Sequence, residues 1–360
     1  MSTSPTGRLR DKLVDPNDAF VVTRAVNVAY ITGFEGVFDH EDAHVALVGP
    51  GRPTLFTDSR YEGAAKRSAR DTPWEIVLPR ADLVADVCAE ARERGIERLY
   101  IEDEVPVARL RAYEKEFVGE VHVASRWIED LRQVKSEDEI RRIKAAQELT
   151  DRAFDHILQV ARVGISEAEL ALDLEFFMRR EGSEGVAFPP IVASGPNSAY
   201  PHAQVTERVL QDGDFLKLDF GAKVDSYCAD MTRTLVLGAA TDRHREIYGT
   251  VLDANLAGIA AVRSGIEGRQ VDAAARAVIE AAGYGENFRH GLGHGVGREV
   301  HEMPGVGPRS EALLPPGCVV TIEPGIYVPG FGGVRIEDLV LVEDECARVL
   351  THSTKDLIEL

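Results

Sequence analysis

Short apolar runs alternate with amphipathic stretches along the first third of the chain. Runs at 19–22, 45–48, 54–57, 75–78 and 98–101 lie between turn-forming residues and predict strands. The stretches 60–69, 83–94 and 108–116 space their apolar positions as a helix does. Together they predict an α/β unit with a mixed sheet. The residues before this unit, M-S-T-S-P-T-G-R-L-R-D-K, carry no apolar segment and read as a short flexible leader. The pattern changes near Ser136. Ser136 and Glu139 form a capping box, and Ile140, Ile143, Phe154, Ile157, Leu158 and Ala161 continue at helical spacing. A second box, Ser166 with Glu169, opens a helix whose apolar face is Leu170, Leu174, Phe177 and Met178 and whose stop is Gly182. The chain is therefore read as two domains, 1–132 and 133–360.

The second domain contains an internal repeat. A-R-V-G-I-S-E-A-E-L at 161–170 aligns with V-R-S-G-I-E-G-R-Q-V at 262–271. L-Q-D-G-D-F-L-K-L-D-F-G at 210–221 aligns with L-P-P-G-C-V-V-T-I-E-P-G at 314–325. Asp219 then falls on Glu323, and Asp230 and Glu337 become counterparts one strand further along. Two short matches arise by chance among helical sequences, but the coincidence of acidic positions favours a true repeat. Each half is predicted to hold two helices followed by antiparallel strands that present two carboxylates. A pseudo-two-fold arrangement would gather all four at its centre.

A length of 360 residues and a hydrophobic fraction of 44% suit two globular domains. The formal charge of −19 argues against nucleic acid as a partner, which calls for a basic face. No apolar run reaches the roughly 18 residues needed to span a bilayer. Cys88, Cys228, Cys318 and Cys346 form no C-x-x-C and no close pair, as in a reduced cytoplasmic protein. Cys228 reads as a small buried residue on a strand, although it lies only two residues before Asp230.

Five residues carry the candidate chemistry: Asp219, Asp230, His294, Glu323 and Glu337. Asp219 ends the apolar run F-L-K-L-D, and in isolation could cap a turn. Asp230 lies a hairpin further on, and in isolation could pair with Arg233. Glu323 and Glu337 also follow apolar runs, as carboxylates projecting from a buried sheet do. Buried carboxylates are costly unless paired or metal-bound. Four anionic oxygen donors with one imidazole suit two hard or borderline divalent ions and metal-assisted hydrolysis. His290, His294 and His301 share the glycine-rich string H-G-L-G-H-G-V-G-R-E-V-H-E, and His202 lies in N-S-A-Y-P-H-A. His202 and His301 are read as groups that donate to a substrate carbonyl or move protons.

The strings S-G-P-N-S-A-Y-P-H, L-D-F-G, A-D-M-T-R-T, G-H-G-V-G, E-V-H-E, I-E-P-G-I-Y and G-V-R-I-E-D resemble those of the Xaa-Pro metallopeptidases. That group includes aminopeptidase P, prolidase and, more distantly, methionine aminopeptidase and creatinase. A-Y-I-T-G-F and F-T-D-S-R-Y extend the resemblance into the first domain, so it covers nearly the whole chain. It implies an α/β N-terminal creatinase-like domain before an α+β pita-bread catalytic domain, and a homodimer. It implies that Asp219, Asp230, His294, Glu323 and Glu337 hold two metals, manganese first, with cobalt or zinc as alternatives. Asp230 and Glu337 would bridge the ions, and a hydroxide between them would attack the carbonyl before proline. Glu323 would relay a proton, His202 and His301 would stabilise the intermediate, and His290 and Arg335 would support the proline side and the carboxylate network. The expected substrates are proline-containing peptides. Small bacterial aminopeptidase P is the nearest match in the strings, with prolidase as the alternative. Gly330, Gly332 and Gly333 would leave room for a longer peptide, whereas Arg298, where an aliphatic residue is expected, could supply a dipeptidase's cation. A catalytically dead binding module is the remaining reading, and the complete ligand set argues against it.

Overall fold

The structure is a computed structural model that describes residues 4–39, 43–80 and 82–360. The chain divides into two compact units, Met1–Arg132 and Gln133–Leu360. Among the described residues, no helix is long and apolar enough to cross a membrane.

The first unit is built on a six-stranded mixed sheet. Its strands run in the order Glu75–Val77, Thr54–Thr57, His44–Val48, Asp18–Val22, Arg98–Glu102 and Glu120–Ala124. Alternate side chains enter two different cores, as a strand's period of two requires. Phe20, Val22, Ala46 and Val48 meet the helices Pro5–Asp11, Ala25–Thr32 and Glu62–Ser68. Ala19, Val21, Val45 and Leu47 meet Leu83–Glu93 and Val107–Glu116. The expected leader is instead ordered from Ser4 onward, where the residues can be described. Ser4 accepts a hydrogen bond from the Gly7 amide, Pro5 starts the helix, and Leu9 is fully buried. One leucine gave the pattern too little periodicity to announce that helix.

The second unit consists of two halves that repeat down to individual hydrogen bonds. In the first half, helices Glu137–Val160 and Glu167–Arg180 precede an antiparallel sheet of Ile191–Ser194, Phe215–Phe220 and Met231–Val236. In the second, Asp242–Ala261 and Gly268–Ala281 precede a sheet that contains Val319–Ile322 and Asp338–Val342 as antiparallel neighbours. Gly164 donates to the Leu210 carbonyl, and Leu210 donates back to Ile165. Gly265 and Leu314 do the same with Leu314 and Ile266. Gly213 donates to Leu237, and its counterpart Gly317 donates to Val342. Gly213 and Gly317 have φ of 80° and 86°, a left-handed conformation that favours glycine. Both capping boxes read from the sequence, at Ser136 and Ser166, are formed.

Candidate metal centre

The four carboxylates enter the centre from equivalent places in the two halves. Asp219 lies near the end of strand Phe215–Phe220, opposite Thr232. Asp230 immediately precedes strand Met231–Val236. Glu323 follows Val319–Ile322, and Glu337 immediately precedes Asp338–Val342. All four line one cavity of about 600 Å³, together with His202, His290, His294, His301 and Arg335. Its other wall is apolar and includes Phe188, Pro189, Pro190, Ile191 and Val300. Every residue selected from the sequence as a site residue therefore faces the same space.

Donor atoms of Asp230, His294 and Glu337 lie within 4.8 Å of one another, a spacing able to hold a metal ion. His294 Nδ1 donates to the Gly295 carbonyl at 3.1 Å, which turns Nε2 toward Glu323 Oε1 at 3.3 Å and Asp230 Oδ2 at 3.6 Å. Glu323 Oε1 also accepts from Thr321 Oγ1 at 3.2 Å, and Glu337 Oε2 accepts from Thr232 Oγ1 at 2.6 Å. Asp219 and Glu323 are not in the three-residue group, and Arg335 Nη2 donates to Asp219 directly. Arg335 is fully engaged within the protein. Its Nε donates to Thr232 Oγ1 at 2.9 Å, and its Nη1 donates to the Pro201 carbonyl at 3.0 Å and Tyr327 Oη at 2.9 Å. Tyr327 in turn hydrogen-bonds His290 Nε2 at 2.9 Å.

The electrostatics show what this cage lacks. Burial, reinforced by Glu337, Asp219 and Glu323, pushes Asp230 well above the usual carboxylate range. Burial, then Glu323 and Asp219, does the same to Glu337. Asp219 is raised by burial against the pull of Arg335. Burial opposes ionisation of Glu323 too, but the hydrogen bond and charge of His294, with Arg335 and His290, hold it at about 2. The centre thus has more buried negative charge than Arg335 and His294 balance. A hard or borderline dication matches both this deficit and the oxygen-and-imidazole donor set.

A model of the creatinase/prolidase N-terminal domain matches residues 7–134, and a model of metallopeptidase family M24 matches residues 141–344. The chain belongs to metallopeptidase family M24. This M24 peptidase is 36% identical to a Xaa-Pro dipeptidase of Pyrococcus horikoshii, over 95% of this chain and 94% of that one. A solved structure of a Xaa-Pro dipeptidase from Bacillus anthracis is 40% identical, with a TM-score of 0.93 and 99% of both chains covered. That of an X-Pro aminopeptidase from Thermotoga maritima is 34% identical, with a TM-score of 0.89 and 99% of both covered. The fold of the M24 peptidase is therefore a creatinase-type N-terminal domain followed by a pita-bread catalytic domain.

Several neighbours differ from their sequence-based expectations. Arg233 does not pair with Asp230. It lies fully buried against Asp338, 2.8 Å away, so the isolated-pair explanation of Asp230 fails. Arg298 is not a lining residue of the cavity. Its guanidinium sits over the Tyr227 ring, 5.2 Å from the centroid, and donates to Tyr227 Oη at 3.4 Å. Gly332 and Gly333 do not open space either. A Cβ on Gly333 would meet the Ser198 carbonyl at 2.3 Å, so the glycine admits the 195–199 turn instead. Cys228 is buried, contacts the Arg298 carbonyl, and has its thiol pushed up to about 12 by burial.

Sequence reasoning missed four supports of the centre: Thr232, Thr321, Tyr327 and Glu167. Thr321 and Glu323 are two residues apart, a spacing that puts strand side chains on one face and could have revealed the pair. Glu167, fully buried, accepts from Ser194, Asn197 and Thr206 and so ties down both ends of the segment carrying His202. Its position in a helix's first turn signalled only favourable helix electrostatics.

Proposed function

We propose that this M24 peptidase is a metal-dependent exopeptidase that hydrolyses the bond before proline in Xaa-Pro substrates. The observation that carries the reading is the convergence of three buried carboxylates, the partly buried Glu323 and His294 on one cavity with apolar lining. Asp219, Asp230, His294, Glu323 and Glu337 would hold two divalent ions, with manganese the first to test. Bound divalent ions supply an activated water and polarise the scissile carbonyl. His202 and His301, both exposed toward the cavity, donate to the developing oxyanion. Burial and the charge of His294 lower the pKa of His301, so its neutral form is favoured and can act as a hydrogen-bond donor without adding charge. Glu323, kept ionised by His294 and Arg335, is free to accept a proton and pass it to the departing proline nitrogen. The apolar wall of Phe188, Pro189, Pro190 and Val300 accepts the proline ring, whose amide has no N–H to satisfy.

Two substrate lengths fit this chemistry. The dipeptidase reading draws on the relatives from Pyrococcus horikoshii and Bacillus anthracis, and the aminopeptidase reading on that from Thermotoga maritima. The dipeptidase reading is the first to test, because two of the three glycines expected to leave room for longer chains, Gly332 and Gly333, abut the Ser198 turn, whereas Gly330 has open space beside it. Purified protein with added manganese should release free proline from Ala-Pro, read by mass spectrometry. A tetrapeptide Ala-Pro-Ala-Ala in a parallel reaction measures the second reading. No cleavage of either peptide with manganese, cobalt or zinc would refute the proposed activity. Size-exclusion chromatography tests the homodimer that the resemblance implies.

A further inference from the structure

His202 stands in a stretch of chain with no regular structure of its own. Residues 201–205 belong to no helix or strand and, among the described residues, make no backbone–backbone hydrogen bond. Tyr200, just before them, is 65% exposed. Side-chain donors fix the segment instead. Asn197 Nδ2 donates to the Gln204 carbonyl at 3.0 Å, and Arg335 Nη1 to the Pro201 carbonyl at 3.0 Å. Lys217 Nζ donates to the Tyr200 carbonyl and, at 3.2 Å, to the Pro201 carbonyl. Lys217 is fully buried, and among the described residues it makes no ion pair and no other hydrogen bond. The period of its strand brings it there. Leu216, Leu218 and Phe220 enter one core, while Phe215, Lys217 and Asp219 share the opposite face. Nζ also lies 5.1 Å from the centre of the Tyr327 ring, whose hydroxyl accepts from Arg335 Nη1. Burying an amine is costly unless its N–H groups are satisfied. Here the two carbonyls satisfy it, and a charged or a neutral amine has donors enough for both.

We infer that Lys217 is a positioning residue for His202: by pinning the two carbonyls that precede the histidine, it holds the imidazole on the cavity wall. The inference rests on the Xaa-Pro reading above, in which His202 donates to the oxyanion. Two donors share the Pro201 carbonyl, but among the described residues only Lys217 holds that of Tyr200. Arg335 divides its donors among Thr232, Pro201, Tyr327 and Asp219, so it serves the carboxylates and the segment together. Lys217 serves the segment alone. It lies two residues before Asp219, so one strand presents a carboxylate to the centre and, beside it, the donor that aims His202 at the same cavity. A shift of that strand moves both together and keeps the histidine in register with the carboxylate. Such register matters because an oxyanion donor acts only within about 2.7–3.1 Å of the developing charge. A displacement of about 1 Å can cost on the order of 10²-fold in rate.

The test is a double-mutant cycle, Lys217→Met against His202→Ala, in manganese-loaded enzyme with Ala-Pro and Ala-Pro-Ala-Ala as substrates. Methionine keeps an unbranched apolar stem and removes the donor. Lys217→Met is expected to lower kcat about tenfold or more, with KM within about twofold and manganese content unchanged. In the His202→Ala background the same substitution should change kcat by less than about twofold, because the two losses are then one. A second readout needs no turnover and decides where His202→Ala leaves none to measure. In zinc-loaded protein with isotope-labelled histidine, the His202 ring resonances, assigned by their absence in His202→Ala, should move in Lys217→Met. Those of His122, in the other unit, should stay in place. If the far-ultraviolet spectrum shows that Lys217→Met does not fold, Lys217→Gln, which keeps a donor on a shorter stem, replaces it with the same pattern expected. An equal loss of kcat in both backgrounds would overturn the assignment, since a merely structural effect is additive. So would an unchanged kcat, unmoved His202 resonances, or a loss of manganese, which would place the effect of Lys217 in the carboxylate cage. Any of these with an active wild type leaves the Xaa-Pro reading intact. Cleavage of neither peptide by the wild type would overturn that reading and the inference with it.

Discussion

Arg233→Met probes how far the centre depends on a cation that never touches it. Arg233 is 1% exposed and spends all its donors inside the catalytic unit. Nε donates to the Thr354 carbonyl at 2.9 Å, Nη1 to the carbonyls of Thr232 at 3.0 Å and Glu337 at 2.6 Å, and Nη2 to Asp338 at 2.8 Å and the Ser353 carbonyl at 2.8 Å. Methionine keeps most of the volume, so the loss is one buried ion pair and four carbonyl contacts. Breaking a buried pair from one side costs about 3–5 kcal/mol. Asp338 retains Lys355 at 2.8 Å, which places the expectation at about 3 kcal/mol, the lower end of that range. For a unit of this size each kcal/mol lowers Tm by about 2–4 °C, so the transition should fall by roughly 6–12 °C. The assay is thermal unfolding with saturating manganese, followed by circular dichroism, with Arg233→Lys as the control that keeps charge but loses the fork. A fall of less than about 2 °C for the methionine variant would refute the reasoning. So would a lysine variant less stable than the methionine one.

Asp230→Ala and Glu337→Ala should each lose bound manganese and activity while keeping the far-ultraviolet spectrum; full metal content by elemental analysis in either variant would count against the ligand assignment. His301→Ala should keep its metal and lose on the order of 10²-fold in kcat, the usual effect of removing one oxyanion donor; an unchanged kcat removes that role. Asp230 and Glu337 have pKa values raised above their ordinary 3.8 and 4.5, so the stability they contribute is present at low pH and is lost as pH rises through the raised values. Glu323, held at about 2 against its ordinary 4.5, acts in the opposite sense: its contribution is complete above 4.5 and is lost only as pH falls toward 2, so it does not differ between pH 5.5 and pH 8. In EDTA the Tm should therefore be higher at pH 5.5 than at pH 8, and manganese should raise Tm more at pH 8; an EDTA Tm that climbs with pH would contradict the charge deficit.

Much of the fold was legible because its signals are local. The boxes at Ser136 and Ser166 start helices through contacts three residues apart. The five strands read in the first unit are all present, since their apolar residues are bounded by turns. The strand Glu120–Ala124 was not read, although Val121 and Val123 alternate with Glu120 and His122; neither valine is fully buried, and only Ala124 is. Helix Ala25–Thr32 was missed for the converse reason: five of its eight residues are buried, so it shows little amphipathic contrast. In the centre, the carboxylates were legible through the repeat and the motif strings. Their partners were not. Arg233 meets Asp338, and Arg335 meets Asp219, across more than a hundred residues, and nothing local to any of the four announces the pairing. Arg298 misled for the same reason, since Tyr227 lies far from it in sequence.

The repeated halves have a consequence for assembly. Asp219 and Asp230 belong to one half, and His294, Glu323 and Glu337 to the other, so the proposed metal centre is a seam and neither half contains all five proposed ligands. A bound ion is then a reversible cross-link between two pieces of one chain, and its affinity measures how well those pieces are docked. On this reading, a substitution deep in either helical layer would weaken metal binding with all five proposed ligands intact, by letting the seam open. Conversely, an ion held across the seam would stabilise only the joined arrangement, because the first half alone offers two of the five proposed donors and the second half three. On this reading loading would be a checkpoint: the proposed chemistry would switch on only when both copies of the motif have closed on each other.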